Sequence, residues 1–251
     1  MLKLATWNVN GIRAREAQVA QWLAAERPDV AFLQELKARP DQVPALLVAP
    51  ADYWAFWHGG GPYSGVALLV RRARAASAPA FFHPPFDFEN RVVAAEVAGA
   101  TMASVYVPNG GKDLPAKLRF LEALAGWAES ARAEGRPLVL CGDVNVARSD
   151  LDVFEKERDP EAIGQRPEER ALLERLLATG LADVHRALHP GEPDLYTWWP
   201  PWRNMRQRNL GWRIDYVLAT DALAARVRSC RAARDFGTSD HAPVVAELDE
   251  A

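Results

Sequence analysis

Cysteine is scarce in this chain, and methionine, tyrosine and lysine are nearly so. Two cysteines, Cys141 and Cys230, stand among 251 residues. They offer no disulfide framework and no zinc-ligand spacing, and Cys141, closing an apolar run, reads as buried. No apolar stretch is long enough to cross a bilayer. The N-terminus lacks the charged start, apolar segment and cleavage site of a signal peptide. The expectation is a soluble, cytoplasmic protein with no membrane partner. No linker, repeat or low-complexity tract divides the chain, so one domain over residues 1–251 is expected. The formal net charge of -3 advertises no polyanion partner, although a balanced total can hide a local basic face. Arginine far outnumbers lysine and alanine is abundant, a bias that GC-rich codon usage accounts for.

What is present is a series of apolar runs, most of them closed by polar residues. Strands are predicted over residues 2–9, 29–34, 53–57, 66–71, 91–97, 102–107, 138–141, 214–219, 227–233 and 243–248. Helices are predicted over 13–26, 41–48, 114–134 and 168–179, ended by Pro28, Gly135 and Gly180 where such signals exist. Residues 58–63, 153–167 and 193–211 are irregular, and loops of that length are usually functional or mobile. Neighbouring strands with helices inserted between pairs predict two mixed sheets packed face to face and covered by helices, an α/β sandwich.

The polar segments are Thr6-Trp7-Asn8-Val9-Asn10-Gly11, Gln34-Glu35, Cys141-Gly142-Asp143-Val144-Asn145, Gly211-Trp212-Arg213-Ile214-Asp215-Tyr216 and Gly237-Thr238-Ser239-Asp240-His241. Carboxylates and carboxamides at strand ends can converge on one metal ion across long sequence separations. That pattern predicts metal-assisted hydrolysis, with a phosphodiester as the bond. A magnesium ion wants one or two protein carboxylates and several waters, a task that suits Glu35 with Asn8 or Asp240 nearby. Asp143 and Asn145, two apart, point the same way if the strand continues, so one can accept a proton while the other orients water or phosphate. His241 can stabilise charge on a phosphate oxygen if a carboxylate holds its tautomer, and Asp215 is the natural partner. His58, His83, His185 and His189 are read as structural.

In family order, these segments, with Tyr63-Ser64-Gly65-Val66 and Tyr106-Val107-Pro108-Asn109, resemble the exonuclease III family of apurinic/apyrimidinic endonucleases, within the endonuclease/exonuclease/phosphatase superfamily. The resemblance runs over nearly the whole chain. It implies a four-layer, deoxyribonuclease I-like sandwich, one Mg2+ (or Mn2+) site and a monomer that cuts double-stranded DNA 5′ to abasic sites or trims blocked 3′ ends. It implies Glu35 as metal ligand with Asn8 and Asp240 in or beside the coordination shell. Asp143 activates water or protonates the leaving group, and Asn145 positions it. Asp215 and His241 form the pair on the phosphate, Tyr106 supports the phosphate or leaving group, and Asn109 contacts a phosphate oxygen. Trp198, Trp212 and Ile214 fall in the pocket for the extruded sugar, Trp202 at a wedge position, and Lys112 where some members contact DNA across the lesion.

The segment 196–206 carries aromatic surface and cations, Arg206 among them, suited to phosphates and to a gap in a base stack. Trp199 in the same segment reads as core. Three departures stand out. His58-Gly59-Gly60-Gly61-Pro62 lacks the cations of some relatives, Ala162-Ile163-Gly164 lacks an asparagine, and Trp198 is bulkier than the usual pocket wall. The rival readings are a 3′→5′ exodeoxyribonuclease or 3′-phosphatase using the same residues, and a damaged-DNA binder without catalysis. A lipid phosphodiesterase on the same scaffold is disfavoured by the Trp- and Arg-bearing loop. If bacterial, the protein is expected near the nucleoid.

Overall fold

The computed structural model describes residues 1–250; Ala251, the end of the span expected as one unit, lies outside the described residues. Strand β1 (Leu2–Asn8) passes through a 3-10 turn (Ile12–Arg15) and helix α1 (Glu16–Glu26) into β2 (Val30–Gln34), parallel to it. Helix α2 (Ala45–Val48) leads to the hairpin of β3 (Tyr53–His58) and β4 (Val66–Arg71). The second sheet opens with β5 (Phe81–Phe82), β6 (Val92–Val97) and β7 (Ala100–Tyr106). Helix α3 (Leu114–Ala133) then crosses to β8 (Leu138–Asp143), parallel to β7. Helix α4 (Pro167–Ala178), β9 (Leu181–Asp183), α5 (Val184–Leu188) and β10 (Asp215–Thr220) complete that sheet. Helix α6 (Asp221–Ala224) returns the chain to the first sheet as β11 (Val227–Ala232) and β12 (Val244–Leu248).

The sheet orders are β11-β12-β1-β2-β4-β3 and β5-β6-β7-β8-β10-β9, so each six-stranded sheet has its one parallel pair at the centre. Side chains alternate across each strand. On β1, Leu2 and Leu4 face the seam between the sheets with Val30, Phe32, Met102, Val139 and Cys141. Ala5 and Trp7 face the other way, onto Val19, Trp22 and Leu23 of α1. On the opposite outer face, Leu121, Leu124 and Ala128 of α3 and Leu173 of α4 cover Ala103, Leu138, Leu140 and Leu218. The result is the expected helix–sheet–sheet–helix layering. Both faces of the central strands are buried, which is why they read as apolar runs rather than alternation.

Three predicted helices begin or break differently from expectation. The helix of 13–26 opens with a 3-10 turn, and 41–48 is split at Pro44, whose ring cannot continue a helix. The helix expected from Glu168 begins at Pro167, a residue whose fixed φ suits the first turn. The strand expected to stop at Cys141 extends to Asp143 but no further, because Asn145 adopts φ +55. Among the described residues no helix is long and apolar enough to cross a membrane.

One buried charge cluster fixes the segment that enters β10. Arg213 is fully buried, and its Nε donates to Asp152 Oδ1 at 2.7 Å while Nη1 and Nη2 grip the two oxygens of Asp183 at 3.0 and 2.7 Å. Its guanidinium also lies 4.6 Å from the ring centroid of Tyr216. Arg213→Ala should therefore destabilise the fold by about 3–5 kcal/mol, because buried Asp183 loses its close guanidinium partner and Asp152 keeps only Arg186. Urea unfolding followed by circular dichroism measures this, and a loss below about 1 kcal/mol would contradict the assignment.

Candidate active site

The inward-facing row of each central strand ends in a polar residue at the same rim. Asn8 pairs in register with Gln34, and Asp143 is flanked by Tyr106 on one side and Asp215 on the other. Beneath them a buried polar seam joins the sheets. Thr6 Oγ1 donates to Gln34 Oε1 at 3.1 Å, Gln34 Nε2 to Ser104 Oγ at 3.0 Å, and Ser104 Oγ to the Leu33 carbonyl at 3.0 Å. Gly142, at φ +149, lets β8 approach this seam, since a Cβ there would collide with the Val105 carbonyl and come within 3.1 Å of Gln34 Nε2.

At the centre, His241 Nδ1 lies 2.9 Å from Asp215 Oδ2, which also accepts from Thr197 Oγ1 at 2.6 Å. The other ring nitrogen, Nε2, is 3.8 Å from Asp143 Oδ2. Asp143 accepts from Asn8 Nδ2 at 2.8 Å, from the Asn145 amide N–H at 2.9 Å and from Asn145 Nδ2 at 3.2 Å. The condition for Asn145 to point the same way as Asp143, that the strand continue through it, is not met: β8 ends at Asp143, and a turn folds the Asn145 side chain back onto that carboxylate. Asn109 Nδ2 reaches Asn145 Oδ1 at 3.2 Å. Burial alone lowers the pKa of His241, yet the charges of Asp215 and Asp143 together raise it to about 10. Burial raises Asp143 to about 7, opposed by the His241 charge and assisted by Asp215. Burial also raises the Tyr106 phenol, reinforced by the charges of Glu35 and Asp143, so it is a neutral donor.

Glu35, Tyr106, Asn109, Asp143, Asn145, Ile163, Trp198, Trp212, Ile214, Asp240 and His241 line one cleft of about 440 Å³. Trp198 and Trp212 meet edge to face at 5.6 Å, and their Nε1 atoms are tied to Asp240 Oδ2 at 3.1 Å and Glu157 Oε2 at 2.6 Å. Asn8 is buried under this floor rather than lining it. Glu35 and Asp240 present carboxylates to the cleft, and the Asn8 amide oxygen accepts from Asn10 N at 3.0 Å. These are hard oxygen donors, the set a magnesium-type cation prefers over imidazole or thiolate. A cation is already matched to Glu35: Lys37 Nζ lies 2.7 Å from its Oε1 and 2.6 Å from Asn10 Oδ1, while Asn10 Nδ2 donates to Asp240 Oδ1 at 2.7 Å.

Three of the expected DNA contacts lie outside the cleft lining. Trp202 is 58% exposed on its loop, and Lys112 sits 6.0 Å from the ring of Tyr63, which is 75% exposed. Arg206 has different partners from those expected. Its guanidinium donates to the carbonyls of Arg234 at 2.8 Å, Phe236 at 2.7 Å and Ser239, and lies over Trp199. With those donors engaged it clamps the segment before Asp240. Trp199 is core, 1% exposed.

Sequence reading missed Lys37, Ile163 and a fully buried pair, Lys117 and Glu169. Lys117 Nζ donates to the Asn145 carbonyl at 2.6 Å, and Glu169 Oε2 accepts from Gly164 N at 2.7 Å. Gly164 has φ +89, and a Cβ there would stand 3.1 Å from both the Asn145 carbonyl and the Trp212 ring. A signal existed: Lys117 shares the apolar stripe of Leu121 and Leu124 on α3.

Two mixed sheets with acids, amides and one imidazole gathered at a shared rim define a metal-dependent hydrolase of the nuclease class. The family model described as the endonuclease/exonuclease/phosphatase family matches residues 5–241. Exodeoxyribonuclease III of Haemophilus influenzae is 31% identical, covering 98% of this chain and 100% of the relative. The Neisseria 3′ phosphatase bound to a product DNA hairpin superposes with a TM-score of 0.86 at 36% identity, over 99% of this chain and 100% of the other. An AP endonuclease from Archaeoglobus fulgidus gives 0.86 at 32% identity with the same coverage. The chain belongs to the endonuclease/exonuclease/phosphatase family, in its exonuclease III branch.

The electrostatics of the centre give a measurable expectation. In nitrogen-15 imidazole NMR, His241 should stay protonated through neutral pH and titrate near pH 10. Asp215→Asn removes a charge that holds the proton, so that titration should move acidward by roughly 1–3 units. A His241 that titrates near its ordinary 6.5 in the parent chain would overturn this picture.

Proposed function

We propose that this protein is a DNA repair phosphodiesterase that hydrolyses the backbone 5′ to abasic sites, leaving a 3′-hydroxyl and a 5′-deoxyribose phosphate. The observation that carries this reading is the Asp215–His241–Asp143 cluster opening into a cleft walled by Trp198, Trp212 and Ile214. The indole and isoleucine surfaces suit the compact C–H faces of a deoxyribose that has lost its base and is turned out of the duplex.

His241, charged at neutral pH, donates to a non-bridging phosphate oxygen and stabilises the charge that builds there. Asp215 holds that imidazolium by its Nδ1 side. Asp143, with a pKa near the working pH, exchanges a proton with the attacking water or with the leaving oxygen. Asn145 and Asn109 orient the reacting oxygens, and Tyr106 offers a neutral hydroxyl to the phosphate or leaving group. Glu35, Asp240 and the Asn8 oxygen would hold Mg2+ or Mn2+, which neutralises phosphate charge when bound. Trp202 enters the duplex at the lesion and Lys112 contacts its backbone. The protein acts as a monomer on double-stranded DNA.

Exonuclease and 3′-phosphatase activity on duplex ends use the same residues, and the relation to the Neisseria 3′ phosphatase favours these as companion activities. Turnover on an internal tetrahydrofuran site, a recessed 3′ end and a 3′-phosphate, under one salt and metal condition, ranks them. The internal site is expected to be cut fastest; a clear preference for 3′ ends makes end processing the main function. Cleavage should vanish in chelator and return with Mg2+ or Mn2+. Asp143→Asn and His241→Ala should each lower kcat by roughly 10²–10⁴-fold. A loss under about tenfold at either position removes it from the proton-transfer and charge-stabilising roles.

A further inference from the structure

Lys117 and Glu169 are fully buried against each other, and neither lines the cleft. Lys117 stands on the apolar stripe of α3 with Leu121 and Leu124, where an aliphatic side chain would pack as well. Burying two ions is costly, and exchanging such a pair for well-packed neutral residues of similar volume is often harmless to stability. Burial energy therefore gives no reason for an ammonium at this position. Its contacts do.

The pair reaches three loops that carry cleft residues. Lys117 Nζ donates to the Asn145 carbonyl at 2.6 Å. The Lys117 stem passes so close to Gly110 that a Cβ there would stand 2.8 Å from Lys117 Cδ, and Asn109 immediately precedes that glycine. Glu169 Oε2 accepts from Gly164 N at 2.7 Å and from Arg166 N at 3.1 Å, which seats the turn that follows Ile163. The loops are also joined to one another: Ala147 N donates to the Gly164 carbonyl at 2.8 Å, and Asn109 Nδ2 to Asn145 Oδ1 at 3.2 Å.

Asn145 is the member of this group whose backbone most needs holding. Its φ of +55 lies in the left-handed region, which is unfavourable for a residue with a Cβ and persists only where neighbours fix it. Lys117 holds the carbonyl, and the Val107 carbonyl accepts from Asn145 Nδ2 at 3.0 Å. In that conformation the Asn145 amide N–H and Nδ2 both donate to Asp143, at 2.9 and 3.2 Å.

We propose that Lys117 is a positioning residue for phosphodiester hydrolysis: its ammonium, matched in charge by Glu169, fixes the Asn145 carbonyl and with it the aim of the Asn145 side chain at Asp143 and the reacting oxygens. An aliphatic residue would fill the same volume but would leave that carbonyl without its charged donor. The inference rests on the assignment of Asn145 to the reaction, and the test separates the two.

Lys117→Met alone would strand Glu169 as a buried charge, so the working variant is the neutral pair Lys117→Met with Glu169→Gln, in which Gly164 N keeps an acceptor. Lys117→Leu with Glu169→Gln serves should that pair fail to fold. Thermal unfolding should show a melting temperature near that of the parent. On a duplex with one tetrahydrofuran site, kcat should fall by roughly 10–100-fold, the cost of a small misplacement of a reacting group. KM, and the Kd for the same duplex in chelator, should change little, because the loss lies in the transition state rather than in binding. In an Asn145→Ala background the pair should cost less than about threefold more, since Lys117 acts through Asn145. A folded pair variant with parental kcat overturns the proposal, as does a rise in KM at unchanged kcat. An equal further loss in the Asn145→Ala background also overturns it. Parental kcat in Asn145→Ala itself would instead remove Asn145 from the reaction, and the proposal with it.

Discussion

A charged imidazole held between two carboxylates, out of water, is the interaction on which the catalytic rim depends. Burying an ion costs several kcal/mol, and the cost is offset only when each remaining lone pair and proton finds a partner. Here the partners come from every part of the chain: Thr197 for Asp215, and Asn8 with the backbone of Asn145 for Asp143. Even the carbonyl of His241 is used, accepting from Trp7 Nε1 at 3.1 Å. The cluster thus requires both sheets, in one register, before it is stable.

That requirement explains the polar residues below the rim. The Thr6–Gln34–Ser104 seam is fully buried where apolar contacts would give more burial energy. Its hydrogen bonds are directional, so they fix how β2 meets β7 in a way that interdigitating aliphatic side chains do not. Lys117 and Glu169 extend the same logic outward, tying the Asn145 turn to the Gly164 turn from behind. Burial lowers the Lys117 pKa while Glu169 opposes the change, and the pair stays matched because each charge faces the other.

The rim residues were legible because each stands where an apolar run meets a polar one, and strand ends are where a sheet can present chemistry. The layering was legible for a related reason: runs apolar on both faces need helices or a second sheet on each side. The two-residue β5 and three-residue β9 were not, since so few residues set up no period to detect. Helices α5 and α6 were also missed; at five and four residues they complete too few turns to show a stripe. Partnerships were hardest of all. Nothing local to Arg206 says that its donors are absorbed by the carbonyls of 234–239, or that Lys37 turns back onto Glu35. Those facts arise from which loops the topology makes neighbours.

The strand order has one more consequence. The first sheet is built from β1 to β4 and then closed by β11 and β12, with β12 lying against β1. Asp240 and His241 sit just ahead of β12, so they follow every other rim residue out of the ribosome. A nascent chain holding Glu35, Asp143 and Asp215 still lacks its imidazole. The rim is therefore completed only once β12 has been made and has paired with β1.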